Sequence, residues 1–451
     1  MPDYHKEQKK NPSASKQHNS KSDHIVFYDH IVSKKKSNVP QHTDNEEVTL
    51  LQSQNSASKQ NNHKAKPKRK FKLSKKRVAL NAVCSILAVL MIIVGTGCVV
   101  AYHYFNRINY QQLEDIEDTS TTKKKNQNST NGQTSDLSGT PEIDTYQGAL
   151  LNDPMILNIM LFGADTRKGA TSGQSDTMIL FSIDTRHQKM KMLSFMRDTY
   201  VDIPGDYESQ KLNASYTFGG ASLAVKTIEL NYGIQIDRYA VVDFKSFKNI
   251  INALGGIDIE ISDEEIDYIN WQLWVNNQSD TRYEIDVNDY NFHTNIYGER
   301  VTTVHLNGQQ ALWHARNRGE DGICSGDDYD RTQRQREVVS IILNRLKHSD
   351  FQTIMSVVYE IGPMITTNLK TSEITKLATN IMNYLEYDIV SESAPLAANV
   401  GVDFYYSDDY NPIYVNGEQV DCIVIYDWNA FRQKVAEFIF EEEVEQITTS
   451  E

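Results

Sequence analysis

Four arginines cluster between residues 316 and 334, in the sequence RNRGEDGICSGDDYDRTQR. Residues 311–318 are compatible with a strand, and side chains alternate across a strand, so Arg316 and Arg318 would point to the same side. Guanidinium groups grouped in this way can hold a polyanion through charge-assisted hydrogen bonds. The alternative is that they pair with the acidic residues between positions 320 and 330 on a solvated face.

A helix is predicted from about Asp330, and one stripe of it carries both polar and apolar side chains. Spacings of three and four place five residues on this stripe: Arg331, Gln335, Val338, Ile342 and Leu346. The apolar end must face a core, which turns the arginine and the glutamine inward too. A buried arginine is rare without an anionic partner, and a helix N-terminus adds partial positive charge. The stretch therefore predicts an anion clamp of Arg316, Arg318, Arg331 and Arg334, with Gln335 beside it.

Aspartates and one further arginine lie at the ends of predicted strands. Asp165 follows one strand, Asp176 begins the next, and Arg197 and Asp198 follow a third. Ligands of open α/β sheets bind outside the carboxyl ends of the strands. Hard oxygen ligands hold Mg²⁺ while guanidinium groups neutralise phosphate. We therefore expect Mg²⁺ (or Mn²⁺) at Asp165 and Asp176, although each aspartate alone fits a turn or a helix cap as well.

The elements that must position these residues are predicted after residue 150. Near-continuous apolar runs at 155–162, 177–183 and 189–196 predict strands in the middle of a covered sheet. The remaining patterns predict helices at 222–232, 244–254 and 428–440, an edge strand at 257–261, short helices between 351 and 384, and a strand within 415–425. Residues 263–300 have no clear period and are interpreted as long loops. Interspersed strands and helices indicate one layered α/β domain.

Charge is distributed unevenly along the 451 residues. Residues 1–77 carry 18 Lys and Arg against seven Asp and Glu, a net +11, whereas the whole chain carries −14, which leaves −25 for the remainder. So polar a segment cannot bury enough apolar surface to fold, and we expect it to be disordered. The acidic remainder argues against nucleic acid as a partner of the folded domain.

A basic run at 64–77 precedes 25 uncharged residues at 78–102. That length crosses the roughly 30 Å hydrocarbon core of a bilayer. A cleaved signal peptide is the competing interpretation, but such signals lie at the extreme N-terminus and have shorter apolar cores. The polybasic flank marks the cytoplasmic side and favours anionic membrane lipid. We therefore expect a single-pass cell-membrane protein with a cytoplasmic N-terminus and an extracellular C-terminal domain.

These patterns divide the chain into five parts. They are a disordered basic cytoplasmic tail (1–77), a transmembrane helix (78–105), an extracytoplasmic linker (106–149), the folded domain (150–440) and an acidic C-terminal tail (441–451). Cys324 and Cys422 would both be exported, so their compartment permits a disulfide. Geometry must decide whether it forms.

Seven sequence blocks occur in the order seen in the LytR-CpsA-Psr family: NIMLFGADTR, SDTMILFSID, SFMRDTYVDIPG, KLNASYTFGG, FKNIINALGGIDIEI, HLNGQQALWHARNR and DRTQRQREVV. The chain resembles that family over about residues 158–346. The resemblance implies a layered α-β-α domain with a mixed central sheet. It also implies a membrane-anchored phosphotransferase that moves a glycopolymer (teichoic acid, capsule or related polysaccharide) from undecaprenyl pyrophosphate to peptidoglycan through a phosphodiester bond.

The resemblance also assigns roles to residues. Asp165 and Asp176 match the metal-associated aspartates. Arg197, Asp198 and Arg331 would act in catalysis, and the pyrophosphate would be held by Arg197, Arg316, Arg318, Arg331, Arg334, Gln335, Lys211 and Asn213. The lipid chain would occupy an apolar tunnel walled by 223–230 and 244–254, for which ordinary core packing is the alternative.

One position departs from the family pattern, since Gln174 stands where an arginine is common. A phosphate contact would then be missing or supplied by Arg167 or Lys168. Two other functions stay open: a non-catalytic receptor that binds polyisoprenoid pyrophosphate, and a lipid pyrophosphatase. Retention of Asp165 and Asp176 favours the transferase over the receptor, because capture of a polyanion needs no metal. The polymer, the acceptor and the oligomeric state do not follow from the sequence.

Overall fold

The structure is a computed structural model that describes residues 107–113, 141, 143–165, 173–276, 284–319 and 322–441. The predicted basic tail and the predicted membrane span at 78–105 lie outside these ranges, as do Arg167 and Lys168. Within the described ranges, no helix combines the length and the apolar composition needed to cross a bilayer.

The strands and helices are numbered in chain order. The strands are β1 (Asn109–Tyr110), β2 (Ile156–Asp165), β3 (Gln174–Asp184), β4 (Lys189–Phe195), β5 (Tyr200–Val201), β6 (Gln210–Lys211), β7 (Arg238–Asp243), β8 (Ile257–Ser262), β9 (His293–Thr294), β10 (Arg300–Leu306), β11 (Thr366–Thr367), β12 (Asp388–Ala394), β13 (Phe404–Tyr406), β14 (Ile413–Val415), β15 (Glu418–Val420) and β16 (Ile423–Ile425). The helices are α1 (Leu212–Tyr232), α2 (Phe244–Ala253), α3 (Asp263–Val275), α4 (Gly308–Arg316), α5 (Asp328–Lys347), α6 (Phe351–Ile361), α7 (Thr371–Tyr384) and α8 (Trp428–Phe440).

A seven-stranded mixed sheet forms the centre, in the order β1-β11-β7-β2-β3-β4-β12. β2 pairs antiparallel with β3 and parallel with β7, and β4 pairs parallel with β12. The three apolar runs of the sequence thus form three adjacent inner strands, β2, β3 and β4, as predicted. Met160, Leu180 and Met192 on them are 0% exposed, because helices cover both faces and leave no polar side to the strands.

Alternation along β4 shows which helices cover which face. Leu193 and Phe195 join the core cluster that contains α1 and α8. Ser194, between them, accepts a hydrogen bond from Arg336 of α5 at 2.7 Å. Neighbouring side chains of a strand point to opposite faces, so α5 lies opposite α1 and α8, and the layers are α-β-α.

A second core lies around a three-stranded sheet of order β8-β10-β9. It packs apolar side chains of β8 and β10 against α3 and α4. β8 pairs with β10 from Ile257–Leu306 to Ser262–Val301, and its alternating buried and exposed residues match the predicted edge strand.

Residues 311–318 are not a strand, and that prediction was wrong. Asn307 caps α4 by accepting from the backbone N–H groups of Gln309 and Gln310, and the Gln310 side chain returns a bond to the Asn307 N–H. This capping box starts a helix whose buried face includes Ala311 and Ala315. Local capping therefore outweighs the strand-compatible composition of this segment.

The interpretation of 263–300 as long loops was also wrong in its first part. Ser262 and Glu265 form a capping box that starts α3, and Ile266, Ile269 and Leu273 share its buried face. The predicted linker contributes to the sheet as well, since β1 pairs with β11.

The remaining differences are shifts of boundary. α1 extends to Leu212, ten residues before the predicted start, and joins two helical segments at Gly219 and Gly220, where Gly220 has φ +61°. The predicted strand within 415–425 is divided among β14, β15 and β16.

Cys324 and Cys422 are both buried and free, so the permitted disulfide is not formed.

Candidate active site

Three strand ends place acidic and basic side chains at one edge of the central sheet. Asp165 ends β2 and Asp176 lies near the start of the antiparallel β3, while Arg197 follows the end of β4. These three side chains line one cavity of about 490 Å³. A bulge between Gly163 and Ala164 adjusts the register just before Asp165, and bulges commonly re-aim side chains beside functional sites.

Helices α4 and α5 bring the other arginines to the same cavity. Arg316 is the last residue of α4, Arg318 follows in the loop, and Arg331 and Gln335 lie one turn apart near the start of α5. The Arg316 guanidinium lies over the ring of Phe244, 4.7 Å from its centroid. This cation–π contact holds the guanidinium without neutralising it. Arg316 and Arg318 thus reach one cavity, although no strand alternation brings them there.

An ion-pair network joins these elements. Arg197 Nη1 lies 2.7 Å from Asp176 Oδ1, and Arg197 Nη2 lies 3.4 Å from Asp328 Oδ1. Arg331 Nη2 lies 2.7 Å from the same Asp328 oxygen. Pairing with a nearby acidic residue, the alternative drawn from the sequence, therefore holds for Arg331, but the pair is buried rather than on a solvated face.

The buried network leaves donors and an acceptor without partners. Arg331 is 3% exposed and Gln335 is 9% exposed. Among the described residues, Nε of Arg197, Nε of Arg331 and Oε1 of Gln335 have no hydrogen-bond partner. Unsatisfied buried guanidinium N–H groups are costly. The cavity therefore fits an anionic ligand that accepts several hydrogen bonds.

Burial and ion pairing have opposing effects on the pKa values of the charged residues in the cavity. Burial opposes the ionisation of Asp176, but Arg197, Arg331 and Arg316 together hold its pKa below the usual value. Burial raises the pKa of Asp328 despite the opposing effect of Arg331 and Arg197. Burial also lowers the pKa of Arg331, partly offset by Asp328. Carboxylate and guanidinium are thus crowded together in surroundings that contain little water.

Asp198 and Lys211 form a second pair beside the cavity. Lys211 Nζ lies 2.9 Å from Asp198 Oδ1, and Arg197 Nε lies 3.4 Å from Asp198 Oδ2. The backbone is fixed too, since Ile423 N–H donates to the Asp198 carbonyl and Asn213 N–H to the Arg197 carbonyl. Asp198 and Lys211 thus contact the cavity through Arg197, and Asn213 holds the backbone of that arginine.

Arg334 is not among the residues that line this cavity, and its assignment to the clamp stays a prediction. Its Nε lies 2.6 Å from Glu265 Oε1, and its Nη1 donates to the Asn317 carbonyl. Its side chain lines a neighbouring cavity together with Glu337. Gln174 is exposed and pairs with Asp165 in the β2–β3 register.

Several cavity residues were not predicted from the sequence. Tyr268, Gln272 and Asn276 line it from the side of α3, and Thr177 and Trp313 complete it. Tyr268 and Gln272 are four residues apart and lie on one face of α3. The signal that could have found them is the Ser262-x-x-Glu265 capping pattern before an apolar period.

The predicted tunnel walls lie mainly in the cores. Leu223, Val225 and Ile228 of α1 belong to the main core cluster, and Ile251 of α2 belongs to the second. From α2, Phe244 lines the cavity. Core packing, the alternative for these helices, therefore accounts for the named residues other than Phe244.

Two carboxylates in the cavity bear on metal binding. Asp165 and Asp176 line it together, and the lowered pKa of Asp176 keeps an oxygen ligand ionised. Mg²⁺ commonly uses one or two carboxylates and completes its shell with water and phosphate oxygens, so this pair fits it. Elsewhere in the described residues, Asp184, His187 and Glu441 come within metal-binding distance of one another. Lys191 lies 2.7 Å from Asp184 and 3.0 Å from Glu441, so that group is an ion-pair cluster.

Sequence comparison places the chain among known proteins. Over 329 residues it is 27% identical to "Polyisoprenyl-teichoic acid--peptidoglycan teichoic acid transferase TagU" of Bacillus mycoides, covering 72% of this chain and 91% of that protein. It is 31% identical to the Enterococcus faecalis protein of the same name over 234 residues, covering 51% of this chain and 66% of the relative.

The solved structures that the chain matches include "TagT bound to LIIa-WTA", at 22% identity and a TM-score of 0.45, covering 63% of this chain and 91% of that one. The crystal structure of Bacillus subtilis TagV matches at 24% identity and a TM-score of 0.43, covering 64% and 98%. The profile of the LytR_cpsA_psr family matches residues 104–415, well over half of the sequence. The chain is therefore a member of the LytR_cpsA_psr family.

Proposed function

We propose that this protein is a phosphotransferase that moves a glycopolymer from an undecaprenyl-pyrophosphate carrier to peptidoglycan. The observation that carries the proposal is the convergence of Arg197, Arg316, Arg318 and Arg331 on one cavity with two aspartates. Guanidinium groups from separate segments surround a space that suits a pyrophosphate. The names of the relatives, which describe transfer of teichoic acid from polyisoprenyl carriers to peptidoglycan, support the same reaction.

In the proposed reaction, an acceptor hydroxyl oxygen attacks the phosphorus nearest the glycan. A new phosphorus–oxygen bond forms while the bond to the bridging oxygen breaks, and its electron pair leaves with undecaprenyl phosphate. Arg197 and Arg331 stabilise charge that develops on the phosphoryl oxygens, because both guanidinium-bearing side chains line the cavity. Pre-positioned donors of this kind need no reorganisation during the reaction.

Asp198 is the proposed acceptor of the hydroxyl proton. Phosphoryl transfer passes through a loose transition state, and the proton leaves the attacking hydroxyl as its oxygen bonds to phosphorus. Lys211 and Arg197 orient the Asp198 carboxylate beside the cavity. Asp165 and Asp176 would hold Mg²⁺ or Mn²⁺, which supplies Lewis-acid stabilisation of phosphate oxygens when bound.

The domain outside the predicted membrane span is the proposed catalytic part, and the span would keep it within reach of a lipid-linked donor. Because β1 lies in the predicted linker and pairs with β11, a protein that starts at the predicted domain boundary, residue 150, would lose a strand of the central sheet. We therefore propose to assay the full-length chain.

The test combines the full-length chain with a lipid-pyrophosphate oligosaccharide, peptidoglycan fragments and Mg²⁺, and follows products by mass spectrometry. We expect a phosphodiester-linked adduct that is absent with Arg331→Ala and Asp176→Ala. Arg345→Ala serves as the matched control, because Arg345 lies on the same helix and bonds the Gly256 carbonyl. Donor binding without adduct, across several acceptors, would instead support a receptor. Release of free phosphorylated glycan would support a pyrophosphatase.

A further inference from the structure

A second cleft of about 560 Å³ lies beside α4 and α5. It is lined by the side of α5 that carries Arg334 and Glu337, whereas Arg331 and Gln335 line the candidate active site. Its other walls come from β8, the start of α3 and the β9–β10 hairpin. Apart from Arg334, no residue that lines this cleft is used by the family resemblance or by the proposed reaction.

The cleft is acidic where the active-site cavity is basic. Among the described residues that line it are five carboxylates and one guanidinium: Glu260, Glu265, Glu299, Asp330, Glu337 and Arg334. Arg334 is already paired with Glu265. Burial, and then the nearby Glu265, raises the pKa of Glu337 to about 7, as expected where carboxylates outnumber cations.

A buried imidazole without a hydrogen-bond partner lies in the same wall. His314 is 2% exposed, and neither ring nitrogen has a hydrogen-bond partner among the described residues. Nδ1 lies 3.6 Å from Glu265 Oε1, and Nε2 lies 4.0 Å from Glu337 Oε2. Burial lowers the His314 pKa to about 4, so the ring is neutral and one nitrogen is an acceptor.

The arrangement lacks a donor. The Glu265 carboxylate favours the proton on Nδ1 of His314. The lone pair of Nε2 then faces the Glu337 carboxylate, so two hydrogen-bond acceptors oppose each other. His314 Nε2 and Glu337 Oε2 are 4.0 Å apart, so one donor nitrogen can lie about 2.9 Å from both of them. An ammonium group supplies both the missing donor hydrogens and the missing positive charge.

The mouth of the cleft favours an organic cation over a bare metal ion. Tyr297, in the wall formed by the β9–β10 hairpin, is 81% exposed, and an exposed aromatic face attracts ammonium groups. The volume is that of a small-molecule site, much larger than one ion requires.

We propose that this cleft binds a ligand through a primary ammonium group, held by Glu337 and His314 with Tyr297 at the entrance. The ammonium chemistry follows from the cleft alone. Two sources can supply it: a free amine, or a peptide amine of peptidoglycan. The second source rests on the proposed function, and would place the acceptor on one side of α5 and the donor pyrophosphate on the other.

The test measures binding to the full-length chain by calorimetry, without donor. The probes are cadaverine and a disaccharide–peptide fragment of peptidoglycan with a free lysine amine, each beside its N-acetylated form. We expect acetylation to weaken binding at least tenfold, and Glu337→Gln to do the same. Glu418→Gln, at an exposed strand position, is the matched control and should change nothing. Circular dichroism of each variant checks folding.

The outcomes separate this site from the proposed reaction. Equal binding of free and acetylated probes, no binding of either amine, or displacement of the amine by Mg²⁺ alone would overturn the ammonium site. Binding of cadaverine but not of the peptidoglycan fragment would retain the site and assign it to a free amine. A transfer assay run in parallel identifies the other failure: if no adduct forms while the free-amine probes bind, the transferase proposal fails and the site stands.

Discussion

The two cavities beside α5 differ in charge although the same helices line them. Arg331 and Gln335 face one, and Arg334 and Glu337 face the other. On α4, Arg316 lies in the first cavity and His314 in the second. A helix turns about 100° per residue, so neighbouring residues can carry opposite chemistry to opposite sides. The comparison indicates that α4 and α5 separate an anion site from a cation site.

The two cavities also differ in how their charges are neutralised. In the arginine cavity, Asp176 and Asp328 compensate part of the positive charge through contacts of 2.7 Å with Arg197 and Arg331. In the acidic cleft, the excess negative charge is reduced by protonation of Glu337, whose pKa is raised. A carboxyl group can take up a proton in this way, whereas a guanidinium cannot give one up at physiological pH. The acidic cleft should therefore respond to pH near neutrality, and the arginine cavity should not.

The largest effect is expected from Arg331→Lys. Lysine keeps the charge but loses the planar fork that contacts Asp328 and faces the cavity, so we expect the transfer rate to fall about 100-fold or more. The rate of adduct formation measures this, with Arg345→Lys on the same helix as the control. A rate within about threefold of the wild type would mean that charge alone matters there.

Asp176→Asn comes next and probes the acidic partner in the arginine cavity. Because the folded-state pKa of Asp176 lies below its usual value of 3.8, its stabilising contribution is present above that value and is lost as pH falls below it. We expect the variant to lose transfer about 100-fold and to show a weaker decline in stability below pH 4. Thermal unfolding from pH 2 to 7 measures the second effect. An unchanged acid profile would contradict the assigned ion pair with Arg197.

A pH titration of amine binding compares the cleft with the cavity directly. Ammonium binding requires ionised Glu337, whose pKa burial raises to about 7, so affinity should rise from pH 6 to 8, by at most about tenfold, while a lysine amine stays protonated. The charged and titratable groups that line the cleft with it are Glu260, Glu265, Glu299, Asp330, Arg334, His314 and Cys324. Glu337→Gln should abolish the rise of amine affinity with pH. Binding of the lipid-pyrophosphate donor to the arginine cavity should show no such rise. A flat profile in the wild type would contradict the role of Glu337.

The same group affects stability without a ligand. A raised folded-state pKa means that the contribution of Glu337 to stability is present at low pH and is lost as pH rises through about 7. The side chain is 43% exposed, so screening by water should keep the effect below about 1 kcal/mol. Chemical denaturation at pH 5 and pH 8, compared between wild type and Glu337→Gln, measures it. A variant with the same pH dependence as the wild type would contradict the raised pKa.

The smallest effect is expected from Tyr297→Ala at the mouth of the cleft. An exposed cation–π contact contributes about 0.5–1 kcal/mol, so amine affinity should fall about two- to fivefold. Calorimetry with cadaverine measures it, and Tyr297→Phe should retain most of the affinity because the ring remains. Equal losses in both variants would assign the effect to the hydroxyl group.

Local sequence patterns predicted much of the sheet and several helices. The apolar runs at 155–162, 177–183 and 189–196 are three of the inner strands, and α8 has the predicted bounds. These succeeded because strongly apolar or strongly periodic segments have few alternatives once water must be excluded. The errors at 311–318 and 263–300 arose where short capping boxes start helices that composition alone does not favour.

The candidate site was predictable in its residue types and less so in its geometry. Burial of Arg331 followed from its stripe on α5, because the apolar residues on that stripe must face a core. The direction of Arg334 did not follow, since proximity in sequence cannot say which side of a helix meets which neighbour. Tyr268 and Gln272 were missed because their helix was missed.

The sequence by itself determined the family, the inner strands and the arginines and aspartates that the cavity brings together. Family motifs and apolar runs are local, and each can be read without knowing what lies beside it. The tertiary structure alone decided that Asp176 pairs with Arg197, that Arg334 faces Glu265, and that an acidic cleft lies beside α5. These are contacts between segments distant in the chain or choices among helix faces, and packing against the sheet selects them.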